Sequence, residues 1–327
     1  TNAFSQAGFY LQTATYSLSL LAMLRHAAPD AVYYGRHPLV LAFLRRFKPA
    51  RRIYWEVHSL SAEPGRRQAQ ADLARQIGGA IAVTAHLAER LIGLGVPAER
   101  VLVAPDGIRA ARFQGMPTLA EARAALNLPP EAVIVGYLGR LYTLNMGKGV
   151  DDLIQAIARA DRPLHLLLVG GPDDMAARYR QQWTGLGLPG ERFHALGQVP
   201  AAEVPRALAA FDVAAMPFPW TEHFAYHASP LKLFEYMAGG RAILATDLPS
   251  TAEIVADGET ALLVPPSDVG AMAAALVRLH DDPELRARLG AAARRLAFAR
   301  YTWAARARAI MAFIDRLSTQ DTPRAAT

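Results

Sequence analysis

The chain has no cysteine among its 327 residues. That absence excludes disulfides, thiolate zinc sites and cysteine nucleophiles, and it suits a reducing compartment. Long apolar runs are missing too. The most apolar N-terminal stretch, LQTATYSLSLLAMLRHAA, is interrupted by Gln12, Thr13, Thr15, Ser17 and Ser19. It is too polar and too short to span a bilayer and reads as an amphipathic helix over 9–28. No secretory signal pattern occurs, and no acidic cluster has metal-ligand spacing, so no metal and no cofactor are expected.

What remains is an ordinary globular composition, 52% hydrophobic and 20% charged, on a chain long enough for two cores. Charge is unevenly shared. Residues 1–115 carry 14 Lys and Arg against 7 Asp and Glu, and residues 116–327 carry 21 against 22. The densest basic patch is RRFKPARR, Arg45 to Arg52. A solvated helix-to-strand connection is the commoner reading of such a patch; contact with nucleic acid or an anionic membrane is the alternative. No aromatic-rich RNA-binding signature accompanies it, so the membrane is kept as a partner and nucleic acid is not.

Apolar strands alternate with amphipathic helices. Strands are expected at 31–34, 52–57, 80–84 and 100–105. A second series follows a Pro-containing linker, at 132–139, 164–170, 192–196, 212–217, 242–247 and 261–265. Such alternation implies parallel sheets covered on both faces. Two doubly wound Rossmann-like α/β domains result, facing across a cleft, and ligands bind beyond the carboxyl ends of such strands. The expected domains are 1–115, 116–300, a C-terminal helix over 301–318 packing back towards the first domain, and a disordered tail over 319–327.

After the first strand of the second series comes GRLYTLNMGKGVDDLIQAI. Gly136 and Gly139 would allow close backbone approach. Arg140 and Lys148 bring two cations to a strand end, and Gly149 precedes a helix whose N-terminus carries partial positive charge. Together these make an anion site, although the loop has neither Walker A nor G-x-G-x-x-G spacing. VGGP and LGQVP put further glycines directly after strands. In SPLKLFEYMAGG, Ser229 reads as an N-cap and Pro230 as the first helical position. Leu231, Leu233, Phe234 and Met237 are expected in the core. Lys232 and Glu235 lie three apart, either as a surface pair or as functional groups.

In order, GRL, KGVDDLIQAI, LLLVGGP, LGQVPAAEVPRALAAFDVAAMP, the long SPLKLFEYMAGGRAILATDLPSTAEIVADGETALLVPPSD and RYTWAARARAIMAFI resemble the nucleotide-sugar domain of family-4 retaining glycosyltransferases. These form glycosyltransferase group 1, of GT-B fold, and the resemblance covers residues 130–318. WEVHSL and APDGI resemble the acceptor-side domain. The resemblance implies a retaining, metal-independent hexosyltransferase moving sugar from a nucleotide-diphosphate donor to a glycan, lipid-linked or small-molecule acceptor. A cytoplasmic setting follows, peripheral on the inner face of the membrane if the basic patch rests there.

By resemblance, Gly139, Arg140 and Lys148 hold the donor diphosphate, aided by the backbone of Ser229, Leu231, Lys232 and Leu233 at the start of the 230–238 helix. Gln198 and Val199 meet the base, Glu235 the ribose, and His58 the transferred sugar. The family's two glutamates are separated by seven residues. The second maps to Glu235, whereas the first maps to His227; Glu222 lies nearby without matching the spacing. No protein nucleophile is implied. Because an opening strand and glycine-rich loop usually precede such a first domain, the resemblance implies a first domain lacking its N-terminal part. The alternatives are a non-catalytic nucleotide-sugar binding protein, which the His227 replacement favours, and a GT-B epimerase, which would need cleft carboxylates.

Overall fold

The computed structural model describes residues 3–143 and 146–320. It forms two compact units: residues up to Pro105 together with those from Ala307 onward, and Asp106–Arg306. The stretch 106–115, read from sequence as the end of the first domain, belongs to the second unit. There Ile108 N–H donates to the Tyr301 carbonyl and Trp303 N–H to the Ile108 carbonyl, both at 2.9 Å.

The first unit holds a four-stranded parallel sheet in the order β1-β2-β3-β4: Tyr33–Gly35, Ile53–Val57, Gly79–Ala82 and Val101–Val103. β2 is buried along its whole length, so its sequence IYWEV is nearly continuous apolar. One face packs Trp55 and Val57 with Leu73, Leu87 and Leu91. The other packs Tyr54 and Ile81 against Ile310, Phe313, Ile314 and Leu317 from the last helix, Trp303–Gln320. That helix runs two residues beyond its expected end, and residues 321–327 of the expected tail lie outside the described residues. At the N-terminus the helix is Ala3–Met23, followed by a 3-10 turn Leu24–His26, rather than 9–28. The RRFKPARR segment is a helix-to-strand connection between Pro38–Leu44 and β2. Lys48 Nζ donates to the Leu24 carbonyl at 2.8 Å and Arg52 to the Asp30 carbonyl, while Arg45, Arg46 and Arg51 are exposed.

The second unit holds six parallel strands: β5 Val133–Leu138, β8 Leu164–Val169, β9 Phe193–Ala195, β10 Val213–Met216, β11 Ala242–Thr246 and β12 Leu262–Val264. Between β5 and β8 lies a short antiparallel hairpin, β6 Tyr142–Thr143 and β7 Met146–Gly147, which the sequence reading missed. The sheet order is β12-β11-β10-β5-β8-β9. Chain order reverses between β5 and β10, the topological switch point of a doubly wound sheet, and ligands collect outside the carboxyl ends there. Core clusters cover both faces. Alternate β5 residues divide between them, Ile134 and Leu138 on one, Val135 and Tyr137 on the other.

Candidate nucleotide-sugar site

At the switch point the two central strands part. β5 and β10 pair at Val135–Val213 and Gly136–Ala214 and not beyond. The Tyr236 hydroxyl fills the divergence, accepting from Leu138 N–H at 2.8 Å and donating to the Ala215 carbonyl at 3.3 Å. A buried N–H and C=O are thereby satisfied where the ladder ends. Tyr236 stands on the helix Leu231–Gly239, so the same contact brings that helix's first turns to the mouth of the crevice.

Glycines let the strand ends approach each other. Gly149 has φ +76°, and a Cβ there would lie 1.6 Å from the Pro217 carbonyl oxygen, just after β10. At Gly170, φ +139°, a Cβ would meet the Gly139 carbonyl oxygen at 2.0 Å. Gly136 serves differently from the expectation. A Cβ there would strike the Phe211 ring at 2.2 Å, so this glycine makes room for core packing rather than for a ligand.

Two lysines converge on this floor. Lys148 is 8% exposed, with Nζ 4.3 Å from the centre of the Phe224 ring and 5.1 Å from that of Phe218. Lys232 Nζ lies 3.8 Å from the Tyr137 ring centre and 5.0 Å from Phe218, and donates to the Tyr137 hydroxyl at 2.5 Å. A Cβ at Gly139 would be 3.5 Å from that Nζ, so Lys232 lies under the Gly139 turn. Aromatic faces attract the ammonium groups but replace their hydration poorly. Burial accordingly lowers the Lys148 pKa to about 8. Burial also lowers that of Lys232 well below the usual lysine value, helped by the charge on Lys148 and opposed by Glu235. An arriving anion would relieve both costs. Arg140 is exposed, and its carbonyl accepts from the Tyr137 hydroxyl at 2.9 Å.

Glu235 is partly buried, not a surface group. Burial raises its pKa, while the cations Arg112 and Lys232 pull it down. Ser229 is not the N-cap: its Oγ accepts from Asp106 N–H at 2.9 Å, and Pro230 holds the N-cap position with extended backbone, φ −76° and ψ 106°. Leu231, expected in the core, is 50% exposed, whereas Leu233 is fully buried. Gln198 is exposed and Val199 half-buried, beyond Gly197, whose carbonyl accepts from Gly170 N–H at 2.7 Å. His227 ends a single π-turn, His223–His227, and is partly buried; Glu222, just before it, is exposed. Among the described residues no group of three His, Asp or Glu gathers to hold a metal ion.

His58 belongs to the first unit, directly after β2, with its Nε2 2.7 Å from Glu56 Oε1. Sequence reasoning did not single out Tyr137, Phe218 and Phe224, whose rings face the two lysines, or Arg112, whose charge acts on Glu235. The aromatic residues look like core from their neighbours; Tyr137 and Phe218 lie near the ends of β5 and β10, whereas Phe224, in the turn His223–His227, carries no such signal.

Residues 132–282 match the model of the family Glycosyl transferases group 1. This part of the chain is a glycosyl transferases group 1 domain. The D-inositol 3-phosphate glycosyltransferase of Nocardia farcinica is 31% identical over 240 residues, which is 71% of this chain and 50% of that protein. The chain spans about half the length of the curated relatives it matches. Among solved structures, sucrose-phosphate synthase from Thermosynechococcus elongatus superposes with a TM-score of 0.75 at 24% identity, covering 94% of this chain and 79% of that one. HepE of Anabaena in complex with UDP gives 0.71 at 22%, covering 92% and 82%. The fold is that of the GT-B glycosyltransferases, as the order of the group 1 motifs implied.

Proposed function

We propose that this chain belongs to a retaining, metal-independent glycosyltransferase using a nucleoside-diphosphate sugar. The observation that carries the reading is the pair of ammonium groups over aromatic rings at the β5/β10 switch point, with Glu235 on the same helix as Lys232. Lys148, Lys232 and Arg140 hold the diphosphate, and the first turn of Leu231–Gly239 adds its N–H groups. As the bond from the sugar's anomeric carbon to the phosphate oxygen breaks, these cations stabilise the charge left on the nucleotide, the work a divalent metal does in other sites. The acceptor oxygen forms the new bond on the same face and passes its proton to the departing phosphate. Glu235 takes the ribose hydroxyls. The acceptor is a hydroxyl-bearing glycan, lipid or polyol; similarity to the inositol-phosphate enzyme supports the last.

Product formation from a panel of UDP- and GDP-sugars tests the reading. Tight nucleotide binding without turnover would favour the second reading, a nucleotide-sugar binding protein, to which the imidazole of His227 in place of a carboxylate lends weight.

Glu235→Gln should bind ribonucleoside diphosphates more weakly, by about 1 kcal/mol, and discriminate less against 2′-deoxy analogues, since a neutral acceptor makes weaker bonds to the ribose. Equal discrimination in the two proteins would leave Glu235 without the ribose. The exposed Arg45, Arg46 and Arg51, with the 54% exposed Phe47 among them, support peripheral attachment to an anionic membrane. Co-sedimentation with vesicles should rise with anionic lipid and fall with salt; binding indifferent to both would count against it. No helix among the described residues is long and apolar enough to cross a membrane.

A further inference from the structure

Only three of the chain's 35 lysines and arginines are lysines: Lys48, Lys148 and Lys232. Two of the three stand at the β5/β10 crevice. Arginine binds anions at least as well but does not give up its proton, whereas a buried lysine does. The residue type therefore matters most where the surroundings oppose the charge.

The surroundings of Lys232 do so. Its Nζ lies against the rings of Tyr137 and Phe218, and a Cβ on Gly139 would stand 3.5 Å from it. Its one hydrogen bond is to the Tyr137 hydroxyl oxygen, whose own proton goes to the Arg140 carbonyl. Among the described residues no carboxylate forms an ion pair with it; Glu235, three residues on, acts from a distance. Lys148 Nζ shares the Phe218 ring, 5.1 Å from its centre against 5.0 Å for Lys232. Desolvation and a like charge both disfavour a second ammonium here. Burial first, then the charge on Lys148, set the pKa of Lys232 well below the usual lysine value, with Glu235 opposing. Lys148, at about 8, keeps its charge at neutral pH. The two lysines thus divide into a cation and a desolvated amine, and Lys232 is partly buried rather than sealed from the crevice.

We infer that Lys232 is a carbonyl-reactive site: its Nζ condenses with the aldehyde of a small phosphorylated molecule whose phosphate Lys148 holds. Lysines are activated as carbonyl nucleophiles by desolvation or by a neighbouring cation, and both conditions hold here. The nitrogen lone pair attacks the aldehyde carbon, and the carbonyl oxygen takes up a proton. The carbinolamine then loses that oxygen as water, which carries off both amine hydrogens and leaves a C=N bond. Nothing is oxidised or reduced, and hydrolysis reverses the step. The inference goes beyond the transferase reading and does not depend on it, although the adduct would sit in the place proposed for the donor diphosphate.

Glyceraldehyde 3-phosphate serves as the probe, unphosphorylated glyceraldehyde as its comparison, and cyanoborohydride reduces the imine to a stable secondary amine. The full chain is treated at neutral pH, digested and mapped by mass spectrometry, with Lys48 as the internal reference. With the phosphorylated probe, Lys232 should be modified about tenfold or more faster than Lys48, and that ratio should be smaller with glyceraldehyde. Lys148→Gln should abolish the preference for phosphate while leaving Lys232 reactive towards glyceraldehyde. Modification spread evenly over the three lysines, confined to Lys148, or indifferent to phosphate in the parent would overturn the inference, as would a phosphate preference retained in Lys148→Gln. UDP should protect Lys232. Labelling selective for Lys232 and for the phosphorylated probe, yet undiminished by UDP, would uphold the inference and count against a nucleotide diphosphate in this place.

Discussion

Lys148→Ala should weaken binding of a nucleoside diphosphate by about 2 kcal/mol or more, the scale for removing one partner of a desolvated charge contact. The ammonium is held by the rings of Phe218 and Phe224, with Lys232 and His223 as the charged or titratable neighbours that act on it or feel it. Burial disfavours the charge and lowers its pKa to about 8. The charged form binds the diphosphate. Affinity should therefore hold below pH 8 and fall as pH rises through it, and binding near pH 8 should take up protons. Calorimetry in buffers of different ionisation enthalpy measures both. Arg140→Ala should cost less, since that side chain is exposed. Unchanged affinity in Lys148→Ala, with no proton uptake, would remove the diphosphate from this place.

The second large effect is one of folding. Gly149→Ala should destabilise the protein by about 3 kcal/mol or more, because it combines a left-handed backbone with a backbone clash that no rotamer relieves. Its Cβ would fall 1.6 Å from the Pro217 carbonyl oxygen, so either the loop after β5 or the end of β10 must move. Gly115→Ala provides the comparison: φ is also positive, +65°, but the site is open, and only the conformational cost of about 1 kcal/mol applies. Denaturant melts of the two variants separate strain from collision. Equal losses would mean that the Gly149 contact is soft. Nucleotide affinity should drop in Gly149→Ala even where the protein stays folded, since the same shift displaces Lys148.

The sheets were legible in the sequence for a simple reason. Strands buried on both faces must be continuous apolar runs, and each is cut off by a helix start or a glycine turn, so all ten parallel strands among the described residues could be read to within about two residues. Arg140 and Lys148 were legible because they follow a strand; Lys232 was read for its backbone rather than its ammonium, which stands on the helix Leu231–Gly239, and Arg112 was not read at all. Three features were not. Tyr236 looks like any core aromatic; its role comes from a hydroxyl reaching two strands far away in sequence, and no local pattern records that. Ser229 has the ideal residue type for a cap, yet a backbone N–H at Asp106 competes for its oxygen. Leu231 follows helical periodicity, but it lies on the first turn, where the helix emerges from the core towards the crevice. The carboxylate of Glu56 was visible in WEVHSL, and the spacing of two to His58 could have signalled a shared face.

The most direct test of the central claim is a crystal structure of this chain with UDP-glucose or, failing binding, with the nucleoside diphosphate for which calorimetry gives the highest affinity. The account predicts the diphosphate at the carboxyl ends of β5 and β10, with the ammonium groups of Lys148 and Lys232 within about 4 Å of its oxygens and the ribose hydroxyls on Glu235. A nucleotide bound elsewhere on the molecule, or one in the crevice whose diphosphate touches neither lysine, would contradict it.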